Sequence, residues 1–380
     1  MTTIDLALVT RLLLVCPLLW LVGCGDSAEP SRPASDQASD GPARQVVVYT
    51  SADDYLARAV FDAFELRSGI EVIDVGDTEA TKTVGLYQRL LDEHTENRPA
   101  ADVWWSSEPF YTVRLAEAGV LEPWTAREAE SEFGGAWPTM SRAADSTWYG
   151  FGRRARVIAY DTRKIEDADV PRTLRDLAEP AWEGRVGMAR PLFGTTVGHM
   201  ATLVHLWGPG PTHSWLSAME ANGLRLYDSN SAVVRAIADG EIELGLTDTD
   251  DVWVAQERGW PIGAVYESDE TGSAAGATPE TVAPLMGFGA LSIPNTVARV
   301  AGGPNAPEAG AFIEFLLSPE GERLLMGSDS RNVPVRLDLA GELAASHPGT
   351  VNPSPAEPEL EAVAASIEEA RRVAREVLGL

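Results

Sequence analysis

QVVVYTS, residues 45–51, is the stretch on which the reading of the fold turns. Val46 to Tyr49 form an unbroken apolar run that ends in Thr50 and Ser51. A strand with one wet face alternates polar and apolar residues, whereas a strand covered by helices on both faces of a parallel sheet does not. The run therefore reads as a buried parallel strand delivering a small polar loop, Thr50-Ser51-Ala52-Asp53-Asp54, at its carboxyl end. A helix follows, with Tyr55, Ala59, Phe61, Phe64 and Leu66 recurring at near-helical spacing and Ser68-Gly69 as its stop.

The alternation continues toward the C terminus. Ile70 to Val75 reads as a strand, Gly76-Asp77-Thr78-Glu79 as a turn before a helix to His94, Ala101 to Trp105 as a strand, and Pro109 to Ala118 as a helix stopped by Gly119. Arg156 to Tyr160, Val186 to Ala189, Ile242 to Leu246 and Ala290 to Pro294 read as further strands. Helices open at Gly194-Thr195-Thr196, after Thr247 to Asp251, at Ala309 and at Glu320, and Thr271 to Glu280 reads as a loop. Glu357 to Leu380 is amphipathic, with Leu360, Val363, Ile367, Ala370, Val373 and Val377 on one face, and is expected to dock on its own chain. This order predicts an α/β fold with helices on both faces of a parallel sheet.

Toward the N terminus, Arg11 is followed by the uncharged run Leu12 to Gly23. As a helix that run spans roughly 18 Å, short of a bilayer core of roughly 30 Å, so it reads as a signal-peptide apolar region. It ends in Leu21-Val22-Gly23-Cys24, which resembles a bacterial lipobox with Cys24 as the lipidated residue; residues 1–24 are thus expected to be a lipoprotein signal. Residues 25–44, rich in Ser, Asp, Ala and Pro, read as a disordered tether. Cys16 falls inside the signal, leaving no thiol for a disulfide, a nucleophile or a zinc site. The chain beyond the tether exceeds what one core organises, so two lobes are expected.

The formal charge of -27, from 30 basic and 57 acidic residues, excludes the basic footprint that nucleic-acid binding needs. No Gly-Lys-Ser phosphate loop, nucleophile elbow or dinucleotide fingerprint appears. His94, His199, His205, His213 and His347 show no zinc spacing. A carboxylate-based hydrolase built on Asp250 and Glu108 is the remaining enzyme reading, and nothing else in the sequence supports a reacting centre.

In open α/β sheets, ligands sit where the carboxyl ends of strands meet helix N termini. Five such loops carry polar side chains: Thr50 to Asp54, Asp77 to Glu79, Ser106 to Glu108, Gly194 to Thr196, and Asp248 to Asp251. Each residue alone reads first as a helix N-cap; together they describe a polar cleft. Gly194-Thr195-Thr196 offers backbone N–H groups and hydroxyls to an anion. Asp248, Asp250 and Asp251 offer carboxylates to a metal or an ammonium group.

The order VVVYTS, GDTEATK, ADVWWSSEP, ARPLFGTT, GLTDTDD, FIEFLLSPEG resembles the extracellular solute-binding proteins of bacterial importers, above all the iron(III)-type branch. The resemblance runs from Val46 to about Pro334. It implies a two-lobe periplasmic-binding-protein-like fold with a hinge and an interlobe ligand cleft, lobe one being 45–152 plus 281–329 and lobe two 153–280 plus 330–380. It implies a non-enzymatic, extracytoplasmic binding component with no cofactor, which serves a permease and its ATPase; with the lipobox at Cys24 it is expected to be a lipid-anchored monomer. The expected ligand-binding residues are Ser51, Asp53 or Asp54, Thr78, Glu79, Ser107, Gly194, Thr195, Thr196, Asp248, Asp250 and Asp251. Glu108, Asp250 and Asp251 are the expected metal ligands. Iron-binding members carry two adjacent tyrosines where this chain has Asp250-Asp251. That departure leaves two ligands open: ferric iron or another metal on carboxylates, or a small zwitterion such as an aminophosphonate, its anion at Thr195-Thr196 and its ammonium at Asp250-Asp251.

Overall fold

The computed structural model describes residues 44–76, 82–268, 289–347, 349–352 and 355–380. The signal segment with Cys24, the tether through residue 43, Thr78, Glu79 and the 271–280 loop lie outside them. Among the described residues no helix is long and apolar enough to cross a membrane.

β1 (Gln45–Thr50) pairs in parallel with β2 (Glu71–Val75) and β3 (Val103–Ser106), joined by helices α1 (Asp54–Ser68) and α2 (Lys82–Thr95), with α3 (Pro109–Glu117) next. β4 (Leu121–Glu122) and α4 (Arg127–Phe133) complete this stretch. The α1 stripe differs from the expected one. Leu56, Ala57, Val60, Phe61 and Phe64 face the core, while Tyr55 is 48 % and Leu66 91 % exposed. The first turn is rotated so that Tyr55 falls at the mouth of the strand-end loop instead of under the sheet. Phe61, Trp105, Phe64 and Phe312 interlock at ring-centroid distances of 5.0–5.9 Å, an arrangement that adds to simple burial.

β5 (Tyr149–Asp161) is far longer than the expected 156–160 strand. Its first half pairs antiparallel with β10 (Ala290–Val300), which itself pairs with β3. Its second half pairs with β8 (Leu244–Asp248) and β9 (Ile262–Tyr266). β8 lies parallel to β6 (Val186–Ala189), and β6 to β7 (Arg225–Tyr227). The strand order is β2-β1-β3-β10-β5-β8-β6-β7. Two parallel sets, one per lobe, are thus joined by two long antiparallel strands, which is the two-lobe α/β architecture the sequence predicts. Around the second set stand α5 (Gly194–Trp207), α6 (Pro209–Ala221), α7 (Asn230–Ala238) and α8 (Thr249–Glu257).

The ladder between β5 and β10 slips at Pro294/Asn295, opposite Gly152, whose φ of +40° is costly for a side-chain-bearing residue. The slip is held by buried polar groups. Asn295 Nδ2 donates to the Gly152 carbonyl at 2.5 Å and to Asn332 Oδ1 at 3.0 Å. The Glu322 carboxylate, on α10 (Pro319–Met326), accepts from the backbone N–H groups of Gly152, Val335 and Arg336 at 2.8–3.0 Å. The ladder between the two crossing strands is thus broken at one level, and buried polar groups hold the break.

The remaining helices are α9 (Ala306–Leu317), α11 (Ala340–Ser346), α12 (Leu360–Ala365) and α13 (Ile367–Leu378), beside the short β11 (Pro355–Ala356). The expected single C-terminal helix is therefore two, interrupted at Ser366. Their apolar faces do pack on their own chain: α13 lies on α5 and α6, and α12 on α3 and α5. Beside them α3 and α5 meet where Phe110 rests on Gly198, so closely that a Cβ on Gly198 would lie 2.1 Å from the ring.

Candidate ligand cleft

The carboxyl ends of β1, β3, β6 and β8 open on one cavity of about 1010 Å³. Ser51, Asp53, Asp54, Ser107, Glu108, Gly194, Thr195, Thr196, Asp248, Asp250 and Asp251 all line it, though two hundred residues of chain separate the first from the last.

On the first-lobe wall the hydroxyls are bonded to one another. Ser51 Oγ accepts from the Ser107 N–H at 3.0 Å and lies 3.1 Å from Ser106 Oγ, while Ser107 Oγ donates to the Ser51 carbonyl at 3.2 Å. These bonds tie the loop after β1 to the loop after β3. Glu108 accepts from Thr83 Oγ1 at 3.0 Å, and burial pushes its carboxyl above the usual range. Its Oε1 lies 4.0 Å from where a Cβ would stand on Gly194, so the two walls approach each other here. Asp53 and Glu108 occupy the N-cap positions of α1 and α3, yet neither makes a side-chain cap hydrogen bond.

The second-lobe wall is acidic. Asp248 ends β8 and sits at the N-cap of α8, again without a side-chain cap bond. It is committed elsewhere: Oδ1 accepts from Arg156 Nη1 at 2.9 Å, and Oδ2 accepts from Thr195 Oγ1 at 2.5 Å and from Asn230 Nδ2 at 2.9 Å. The Thr195 hydroxyl is therefore spent on Asp248, a correction to its expected role as a donor to a bound anion. Thr196 likewise donates to Asn230 Oδ1 at 3.3 Å.

Asp250 and Asp251 begin α8, where the helix dipole favours negative charge. Burial outweighs it. Desolvation and the neighbouring Asp248 and Asp53 push the Asp250 carboxyl up against the pull of Arg154, and desolvation with Asp250 and Asp248 pushes Asp251 well above the carboxylate range. Asp250 Oδ1 is buried and accepts no hydrogen bond. Among the described residues Asp248, Asp250 and Asp251 each bring an oxygen within 4.8 Å of the others; Glu108 stands outside that group.

Arg154, unforeseen in the sequence, reaches both walls. Its Nη2 donates to the Ser107 carbonyl at 2.6 Å, and its Nε lies 3.6 Å from Asp248 Oδ2 and 3.6 Å from Asp250 Oδ2. Asn230, Thr83 and Tyr55 are among the other cleft residues that were missed, as are Arg190, Arg235 and Arg258. Tyr55 was read as part of an apolar stripe, and Asn230 lies on α7, for which no element was expected. Among the described residues no histidine or cysteine lines the cavity. The wall offers oxygen donors and a surplus of carboxylates over guanidinium groups, a set suited to a hard cation or an ammonium group.

A family model described as bacterial extracellular solute-binding protein matches residues 59–350. The major ferric iron-binding protein of Neisseria meningitidis is 29% identical over 280 residues, covering 74% of this chain and 78% of that one. Among solved structures, iron-bound HitA from Pseudomonas aeruginosa superposes with a TM-score of 0.69 at 23% identity, covering 89% of this chain and 100% of HitA. Trichodesmium IdiA (FutA), solved with iron and citrate, gives 0.70 at 20%, covering 88% and 99%. The fold is that of two-lobe periplasmic binding proteins. The chain belongs to the bacterial extracellular solute-binding proteins, and it is a transport component, not an enzyme.

Proposed function

We propose that this chain captures ferric iron in the cleft and passes it to a membrane permease driven by an ATPase. The observation that carries the reading is the pair Asp250 and Asp251: adjacent, partly exposed carboxylates, one with an unbonded oxygen, whose carboxyls desolvation and neighbouring carboxylates push up, so that added positive charge favours their ionisation. Arg154 supplies one such charge but shares it with Asp248. A trivalent cation supplies the rest. The relatives named as ferric iron-binding proteins support the same ligand. In this reading Asp250 and Asp251 are ligands from the second lobe, and Glu108 reaches in from the first. Ser51, Asp53, Ser107, Gly194, Thr195, Thr196 and Asp248 shape the walls. The lobes, 45–152 plus 281–329 and 153–280 plus 330–380, close about Gly152 and Asn295. The mature chain works as a monomer, held to the membrane through a lipid on Cys24.

A small zwitterion is the second reading, favoured by the Arg154 guanidinium in the cavity wall. The commitment of the Thr195 hydroxyl to Asp248 weighs against it. To decide, metal-free protein is incubated with ferric citrate, desalted and assayed for iron, and separately melted with an aminophosphonate. The expected result is one iron retained per chain and no shift with the aminophosphonate. The reverse pattern would replace the ferric reading with the zwitterion.

A further inference from the structure

The C-terminal helices do not stay on one side of the cleft. α12 packs both on α3, which has Glu108 at its N-cap, and on α5, which begins at Gly194. One apolar cluster accordingly runs from Phe110 and Val113 on α3, through Val363 and Ile367, to Val197 and Met200 on α5. The helix pair is thus a second connection between the two walls, apart from the ladder of β5 and β10.

Arg371, on α13, lies where this connection reaches the cleft, and its donors are divided between the walls. Nε donates to the Leu192 carbonyl at 3.0 Å, two residues before Gly194, while Nη2 donates to the Tyr111 hydroxyl of α3 at 3.2 Å. Nη1 donates to Glu368 Oε1 at 2.7 Å, and Arg114 of α3 reaches that oxygen at 3.3 Å. Glu368 is 65 % exposed, so its pairs add little; the Arg371 side chain is only 15 % exposed, and its bonds to Leu192 and Tyr111 carry the weight. Docking an amphipathic helix needs only its apolar face. A rigid guanidinium fork bonded to both walls also fixes the distance between them. These bonds are made in the conformation in which the walls meet, with Glu108 Oε1 4.0 Å from the Cβ position on Gly194. An opening that parts Leu192 from Tyr111 breaks one arm of the fork.

We propose that Arg371 is a positioning residue, a clasp through which the C-terminal helix pair holds the second wall at 192–194 against α3 of the first, and so sets how long the closed cleft keeps its cargo. The inference goes beyond the ferric reading, because any ligand gripped between the walls is retained by the same clasp; ferric iron serves only as the probe.

The test uses two variants of the full chain. Arg371→Met keeps an apolar stem and removes the fork, and Tyr111→Phe removes only the first-wall acceptor. In iron-free protein, the amides of 190–194 are expected to exchange with deuterated water about threefold faster or more in both variants, while those of α13 exchange as in wild type. In Tyr111→Phe the loosened amides lie across the cleft from the substitution, which simple loss of helix docking would not produce. Loaded with ferric citrate and mixed with excess chelator, both variants are expected to release iron about fivefold faster, and the double variant no faster than Arg371→Met, since both break one link. Faster exchange in α13 with 190–194 unchanged, equal or slower release, or additive effects in the double variant would overturn the clasp. Should Arg371→Met not fold, Tyr111→Phe alone decides. A wild-type chain that retains no iron would overturn the ferric reading, and the exchange pattern of iron-free protein would still decide the clasp.

Discussion

The two walls of the cleft are made from similar sequence material and end in opposite states. Both are polar loops at the carboxyl ends of buried strands. On the first-lobe wall Ser51, Ser106 and Ser107 satisfy one another. On the second, Asp248 has its partners, while Asp250 and Asp251 are left with more negative charge than the surrounding guanidinium groups balance. Serine hydroxyls thus splint one side, while aspartates leave the other with unbalanced negative charge. What separates them is whether a partner lies within about 3 Å, which local sequence does not encode.

Substitutions can break this contrast or sharpen it. The largest effect is expected on binding: Asp250→Ala with Asp251→Ala should weaken ferric iron binding by roughly a thousandfold or more, about 4 kcal/mol, in a competition titration against a chelator. The same double variant should melt no lower than wild type when iron-free, since it removes carboxylates that burial disfavours. Asp248→Ala should behave in the opposite way. It strips the buried Arg156 of its carboxylate and Thr195 and Asn230 of their acceptor, so a loss of about 3–5 kcal/mol in denaturant unfolding is expected. Gly198→Ala tests how the walls are spaced. The added methyl meets the Phe110 ring, and a cost of about 1–3 kcal/mol is expected with a measurable loss of iron affinity as the lobes are pushed apart. Ser51→Ala is expected to be the mildest, costing about 1 kcal/mol of stability by loosening the tie between β1 and β3, with little change in iron affinity by calorimetry.

Much of the architecture was legible because it is written in local pattern. The apolar run Val46 to Tyr49, the Val186 to Ala189 strand and the helix opening at Gly194 are visible as runs and stops, and each falls where the sequence placed it. The first half of β5 was not. Gly150, Gly152, Arg153 and Arg154 carry no apolar run, and the strand exists because β10, more than a hundred residues away, supplies its ladder. Arg154 and Arg156 escaped for the same reason, as their carboxylate partners lie more than ninety residues downstream. Tyr55 was misplaced by one residue in the phase of the helix, roughly 100° of rotation. Its spacing from Phe61 and Phe64 fits a core stripe loosely, and only the packing of Leu56, Ala57 and Val60 shows that the stripe begins one residue later. That the described loops meet at one cavity was legible, since strand ends in such sheets converge. Which of them were already spent was not.

The most direct measurement is the stability of metal-free protein as ferric citrate is added, wild type beside Asp250→Ala with Asp251→Ala, with citrate alone as the blank. A ligand at a hundred times its dissociation constant adds about 2.7 kcal/mol. A gain of at least that size is expected for the wild type and none for the variant; an equal gain in both would show that Asp250 and Asp251 do not hold the ion.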